Sequence, residues 1–184
     1  PCTDLILQHR IPKVVVGSLD PNPLVSGAEV LQKNGVTVEV HVMPEILALN
    51  DTFIINQSLK RPKYVLKSAI TLNGKIADHS GNSQWISNEE SRNHVHQFLR
   101  TAADAILTTA KTIIRDDATM NIRIKDRMEQ ELNLIVFDRN LDLLKKENHQ
   151  HSIFYKRNKS FIYLITDKSG ITTELPHVEI ITIP

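Results

Sequence analysis

Short β-branched runs alternate with stretches of helical period along the 184 residues. Residues 13–17 (KVVVG), 132–138 (LNLIVFD), 161–166 (FIYLIT) and 178–183 (VEIITI) are nearly continuous apolar runs, the pattern of strands buried in a parallel sheet. Residues 36–42 (VTVEVHV) alternate, and residues 64–72 and 105–107 add two further strand predictions. Between them, residues 3–9 predict a short helix with Leu5 and Ile6 as its apolar face. Residues 28–34 predict another, closed by Gly35 at the C′ position. Residues 45–58 place Ile46, Leu49, Phe53 and Ile54 on one side of a helix that follows Pro44. Asn88 is a cap for a helix over 89–101, and residues 112–115 predict a helical turn. The sum is an α/β chain with a mostly parallel sheet.

Proline, glycine and charge supply the punctuation. The Asp20-Pro21-Asn22-Pro23 segment is neither helix nor central strand, because two prolines fix φ and remove donors. It is a rigid loop beyond a strand's carboxyl end, where α/β folds place ligand contacts. Leu59-Lys60-Arg61-Pro62 is the best boundary, separating a unit over 1–58 from a second over 63–184. Asn73-Gly74 predicts a turn, and the charged segment 142–159 predicts a surface connection with a short helix.

Composition narrows the function classes. Forty-one per cent apolar and 23% charged residues are those of an ordinary globular protein, and a net charge of +1 offers no field for nucleic acid or an anionic membrane. No apolar run approaches the ~20 residues that span a bilayer. The single cysteine, Cys2, excludes an internal disulfide framework and fits a reducing, cytoplasmic setting. His94 and His96, two apart on one helix, face different ways and do not form a metal pair; His149 and His151 lie in the charged connection and are expected to be solvated. The absence of an initiator Met and the strand-like end suggest a piece of a longer chain.

Candidate chemistry gathers in residues 66–123, where Lys67, Ser83, Trp85, Arg100, Thr112 and Asp116 fall at or near the ends of predicted elements. Read singly, each has a structural explanation. Asn22 is ordinary turn chemistry, Trp85 a core aromatic, and Arg100 a dipole-compensating charge at a helix end. Thr112 and Asp116 are loop-stabilising groups.

Their joint order carries more. PCTDLI, KVVVGSLDPNPLVSG, LKSAITLNGKIA, SGNSQWIS, LR followed by ADAIL, and DDATMNIR occur in succession on both sides of the boundary. In this the chain resembles the bifunctional riboflavin-biosynthesis deaminase/reductases. The resemblance implies the C-terminal part of a cytidine-deaminase-like domain over 1–58, a linker at 59–62, and the N-terminal part of a dihydrofolate-reductase-like domain over 63–184. It implies a zinc ligand at Cys2, with the other ligands expected upstream, and a pyrimidine contact at Asn22. For the reductase it implies substrate contacts at Lys67, Ser83, Arg100, Met120 and Arg123, the paired arginines suiting a phosphate. NADPH contacts are implied at Trp85, Thr112, Asp116 and the backbone near Ala69, with Lys67 and Asp116 as catalytic candidates. The expected substrate is a phosphorylated pyrimidine, and homo-oligomerisation through the reductase domain is a further implication.

The chain departs from the family pattern in places. Asn73 and Ala118 replace a usual Asp and Pro, bulkier Thr108-Thr109-Ala110-Lys111 stands where many relatives have a small-residue turn, and the segment after Gly27 is short. The family's Gly-rich cofactor loop and a substrate-side Glu are expected beyond Pro184. Two other readings remain at this stage: a stand-alone reductase of the dihydrofolate-reductase type, and a non-catalytic fragment or assembly subunit.

Overall fold

The computed structural model describes residues 2–184 and divides into two compact units, one ending at Ser68 and the other spanning Ala69–Pro184. In the first, α1 (Cys2–Gln8), β1 (Lys13–Val16), α2 (Gly27–Lys33), β2 (Thr37–Val40), α3 (Pro44–Leu49) and α4 (Asp51–Leu59) follow in order. β1 and β2 pair in parallel, Lys13 opposite Thr37 and Val16 opposite Val40. The end of α2 explains the turn into β2. Gly35 takes φ +81°, its N–H donates to Gln32 O at 3.1 Å, and the Val36 N–H donates to Leu31 O at 3.1 Å. That is a Schellman cap, and it buries Leu31 and Val36 together beneath the pair.

The single helix expected over 45–58 is two. Asn50 closes α3 and opens α4 at φ −111°. Asn and Asp side chains compete with helical hydrogen bonding, so Asn50-Asp51 ends a helix more readily than it continues one.

The second unit contains α5 (Glu89–His94), a π-helical continuation (Val95–Arg100), β3 (Ala105–Thr109), α6 (Ala110–Asp116), β4 (Asn133–Phe137), α7 (Ser152–Lys156), β5 (Ile162–Thr166) and β6 (Val178–Thr182). The sheet order is β3-β4-β5-β6, all parallel, so each crossover steps one strand in the same direction. Register puts Ile106, Leu134, Ile162 and Val178 in one row and Thr108, Val136, Leu164 and Ile180 in the next. This face packs against Ala110 and Ile113 of α6, Leu143 and Ile153, and forms the core. Full burial of each large side chain there contributes about 1.5–3 kcal/mol.

Two further expectations fail. Residues 64–72 form no strand and join no sheet among the described residues. A strand needs a neighbour for its amides, and here Val65, Leu66, Ile70 and Leu72 remain exposed. The charged connection 142–159 is not merely surface, since Leu143, Ser152, Ile153 and Arg157 are all buried. Its lysines and Glu147 face outward, Leu143 and Ile153 join the core, and Arg157 is a buried charge. No helix among the described residues is long and apolar enough to cross a membrane.

Candidate functional site

The second unit holds most of the candidates, and local hydrogen bonding explains how each is presented. Residues 71–75 close on themselves: the Gly74 N–H donates to Thr71 O, and the Thr71 N–H to Lys75 O, both at 2.9 Å. Next, the Asp78 carboxylate accepts from the Ser80 hydroxyl and the Asn82 N–H, both at 2.7 Å. The hydroxyl first, then the amide, hold this carboxyl below its ordinary range. Gly81 sits at φ +81°, and the Arg115 guanidinium of α6 donates to its carbonyl, tying the turn to that helix. Ser83 is exposed directly after this turn.

Trp85 is 70% exposed, which removes the core reading, and the Arg92 guanidinium stacks 4.2 Å from its ring centroid. Arg92 is itself fixed by a bond to Ser87 O. The helix begins where Asn88 Oδ1 accepts the Ser91 N–H at 2.8 Å. Its π-helical end carries Arg100, half-buried, which donates to Asn121 O and approaches Met120 Sδ at 3.9 Å. Burial draws the Arg100 guanidinium below its usual range, and the charge of Arg123 adds to the effect. Arg123 is exposed, and its N–H donates to His96 Nδ1 at 3.0 Å. Arg100 thus contacts Met120 with the charge of Arg123 near enough to act on it, and neither arginine has an acidic partner among the described residues, an arrangement suited to a multiply charged anion.

At the carboxyl end of β3, Thr109 caps α6, accepting from the Thr112 N–H at 3.4 Å with the two hydroxyls 3.2 Å apart. The bulky Thr108-Thr109-Ala110-Lys111 segment is therefore a strand end passing into a helix. Thr112 and Asp116 lie four residues apart on α6 and share a face. Asp116 and Asp117 are both exposed, but Asp117, at φ 44°, reaches toward the start of α7. Its carboxylate accepts from the Ser152 N–H at 2.7 Å, the Ser152 hydroxyl at 2.6 Å and His151 Nδ1 at 3.2 Å. His151 is consequently not solvated: its side chain is 13% exposed. The partner lies 34 residues earlier, which no local pattern discloses.

Cys2, Asn22 and Lys67 belong to the first unit, and Ala69 opens the second. Asn22 is a turn residue in its contacts: its N–H donates to Asp20 Oδ1 at 2.8 Å, and its Oδ1 accepts from the Leu24 N–H at 3.1 Å. Cys2 is exposed, and no three His, Cys, Asp or Glu converge as a metal site among the described residues. One thiolate does not make a zinc site. A shallow groove lined by Glu89, Glu90, Asn93, His94, Gln97 and Phe98 is formed by a single helix and contains none of the candidates.

Thr109, His96, Asn121 and Arg157 shape the site but escape the sequence reading. Thr109 was open to detection, because Thr-x-x-Thr at a strand end is a capping signal. The others act through contacts 21 to 38 residues apart.

The family model for the RibD C-terminal domain matches residues 62–181. The riboflavin biosynthesis protein RibD of Aquifex aeolicus is 41% identical over 139 residues, covering 74% of this chain and 39% of that protein. Its Synechocystis counterpart is 34% identical over 184 residues, covering 97% and 47%. Among solved structures, the diaminohydroxyphosphoribosylaminopyrimidine deaminase/5-amino-6-(5-phosphoribosylamino)uracil reductase of Thermotoga maritima has TM-score 0.81 at 34% identity, over 98% of this chain and 49% of that one. RibD of Acinetobacter baumannii has TM-score 0.75 at 26% identity, over 100% and 51%. The chain therefore spans about half the length of these relatives or less.

Proposed function

The chain belongs to the RibD family, and from that premise we propose that it supplies part of an NADPH-dependent reductase of riboflavin biosynthesis. In this reading the substrate is a pyrimidine with a phosphoribosylamino side chain, reduced to ribitylamino. The observation that carries it is Arg100, half-buried against Met120, with the like charge of Arg123 near enough to act on it and no acidic partner for either among the described residues. A protein tolerates that repulsion where an anionic ligand relieves it, and a phosphate monoester has the charge and the acceptor geometry to do so.

Roles follow residue by residue. Arg100 and Arg123 hold the phosphate, Ser83 donates to the substrate, and the backbone at Met120 lines the same side. Lys67 holds a proton at Nζ for the sugar oxygen that opens. Trp85, Thr112, Asp116 and the backbone near Ala69 hold the cofactor. The exposed indole and the hydroxyls at the β3 carboxyl end are a donor set of the right kind for a dinucleotide. When bound, the reduced nicotinamide supplies a hydride to C1′. The division into a cytidine-deaminase-like and a dihydrofolate-reductase-like part, with Cys2 as one of several zinc ligands and Asn22 toward the pyrimidine, belongs to the same proposal. A cytoplasmic, aqueous setting accompanies it.

The test is NADPH oxidation by the full-length protein with the phosphoribosylamino-pyrimidine as substrate, read by absorbance. Turnover that needs the phosphate and is lost in R123A supports the reading. Equal turnover of the dephosphorylated substrate sinks it.

A further inference from the structure

We propose that Arg157, outside every motif in the sequence, is a positioning residue that clamps the Met120 turn and thereby sets where Arg123 points. This rests on the phosphate-site reading of Arg100 and Arg123. Arg157 ends α7 and is 3% exposed. Its Nη1 donates to Thr119 O at 2.8 Å and to Asn121 Oδ1 at 2.7 Å. Its Nη2 donates to Leu132 O and to Ser160 Oγ, the latter at 2.8 Å. The terminal nitrogens Nη1 and Nη2 are engaged by protein, and the one donor without a partner, Nε, is buried away from the surface, so Arg157 is not a binding residue itself.

What it grips is specific. Met120 has φ 57°, a left-handed conformation that a side chain with a Cβ disfavours. Arg157 holds the carbonyl before it and the side chain after it, while Arg100 takes the carbonyl of Asn121. Two guanidiniums 57 positions apart in sequence therefore hold the groups that flank one strained residue, and Arg123 follows it by three residues. Asn121 is 4% exposed, and its Nδ2 donates to Glu129 Oε2 at 3.1 Å, so the turn cannot swing on that side chain. The clamp is anchored behind: the Ser160 hydroxyl that accepts from Arg157 donates to Glu131 Oε2 at 3.0 Å. Burial pulls the Arg157 guanidinium below its usual range, and Glu131 opposes this. A buried cation with this many directed bonds is costly to keep for packing alone; a precise turn is what its geometry yields.

The experiment uses the full-length protein with ribose 5-phosphate as probe, comparing wild type, R157K and R123A. Lysine keeps the charge but cannot span Thr119, Asn121 and Leu132 at once. The expected result is ribose 5-phosphate binding weakened on the order of tenfold in R157K, with faster amide exchange across residues 119–123 and unchanged exchange in β4 and β5. Unchanged affinity in R157K, with R123A impaired, overturns the clamp and leaves the phosphate site standing. Equal affinity in wild type and R123A overturns the phosphate site, and the clamp with it. Loss of β4 and β5 protection in R157K would mark a general folding role, and overturns the proposal. Should R157K not fold at all, S160A removes a single anchor. A smaller loss of affinity is then expected, and none refutes the proposal.

Discussion

Adjacent acids in the DDATMNIR stretch are predicted to separate into one that stabilises and one that does not. Asp117→Ala removes a carboxylate that accepts two hydrogen bonds from Ser152 and one from His151. The Ser152 N–H is the first of α7, so this is a cap supplied from another helix, and losing a cap costs typically about 1 kcal/mol. Ser152 is 1% exposed, and its hydroxyl keeps Tyr155 OH at 3.1 Å as an alternative partner, so stranding it adds no more than about 1 kcal/mol. Asp117's own side chain is 52% exposed, which discounts any purely Coulombic part. The total is about 1–2 kcal/mol, or a fall in the urea midpoint of about 0.5–1 M.

The pH dependence fixes the sign. The Ser152 hydroxyl first, then its N–H, hold the Asp117 carboxyl below the ordinary range, against a smaller push from desolvation. A depressed folded value means the stabilisation is complete above the ordinary carboxylate range and disappears as pH falls through the folded value. The gap between wild type and D117A, measured by urea titration of the full-length protein, is therefore wide at pH 7 and closes in acid. Asp116→Ala changes the stability by less than about 0.5 kcal/mol while weakening NADPH binding. A D117A variant as stable as wild type, or a gap that persists unchanged at pH 3, would refute the reasoning.

Other substitutions discriminate in the same way. Gly81→Ala places a Cβ at φ +81° against the Arg115 guanidinium, and a loss of about 1–2 kcal/mol is expected by thermal melting, with weaker substrate binding through displaced Ser83. Asp138→Ala strands the N–H groups of Asp142 and Leu143, now bonded at 2.8 and 2.9 Å to a carboxylate 2% exposed; about 2–4 kcal/mol should be lost in urea titration. Arg139→Ala breaks the 2.6 Å pair with Asp167, but the arginine side chain is 84% exposed, so the cost in the same assay is below about 0.5 kcal/mol.

The sheet was legible because its signals are local. Three apolar runs at 132–138, 161–166 and 178–183 correspond to β4, β5 and β6, and Gly35 and Asn88 cap the helices they were expected to cap. Residues 64–72 had the same β-branched character without the neighbour that makes a strand. Pairing is a non-local property that propensity does not encode. The candidate site divides along the same line. Arg100, Met120 and Arg123 come together through contacts 20 or more residues apart, and only a resemblance over ordered motifs suggested that grouping in advance. Arg157 and His151 sit in a segment whose charge pattern reads as solvated, because the few inward residues are outnumbered by the lysines and asparagines around them.

The π-helical stretch Val95–Arg100 makes helix length a matter of aim. Wider turns accommodate one residue more than an α-helix would over the same rise, so deleting one residue there would restore ordinary winding at little cost to helicity. It would also change, within that turn, which side chain occupies each position on the helix surface. His96 and Arg100, which now meet the backbone of Arg123 and Asn121, would no longer both reach them. Exchanges of side chain are therefore easier to accommodate in this segment than any change in its count of residues.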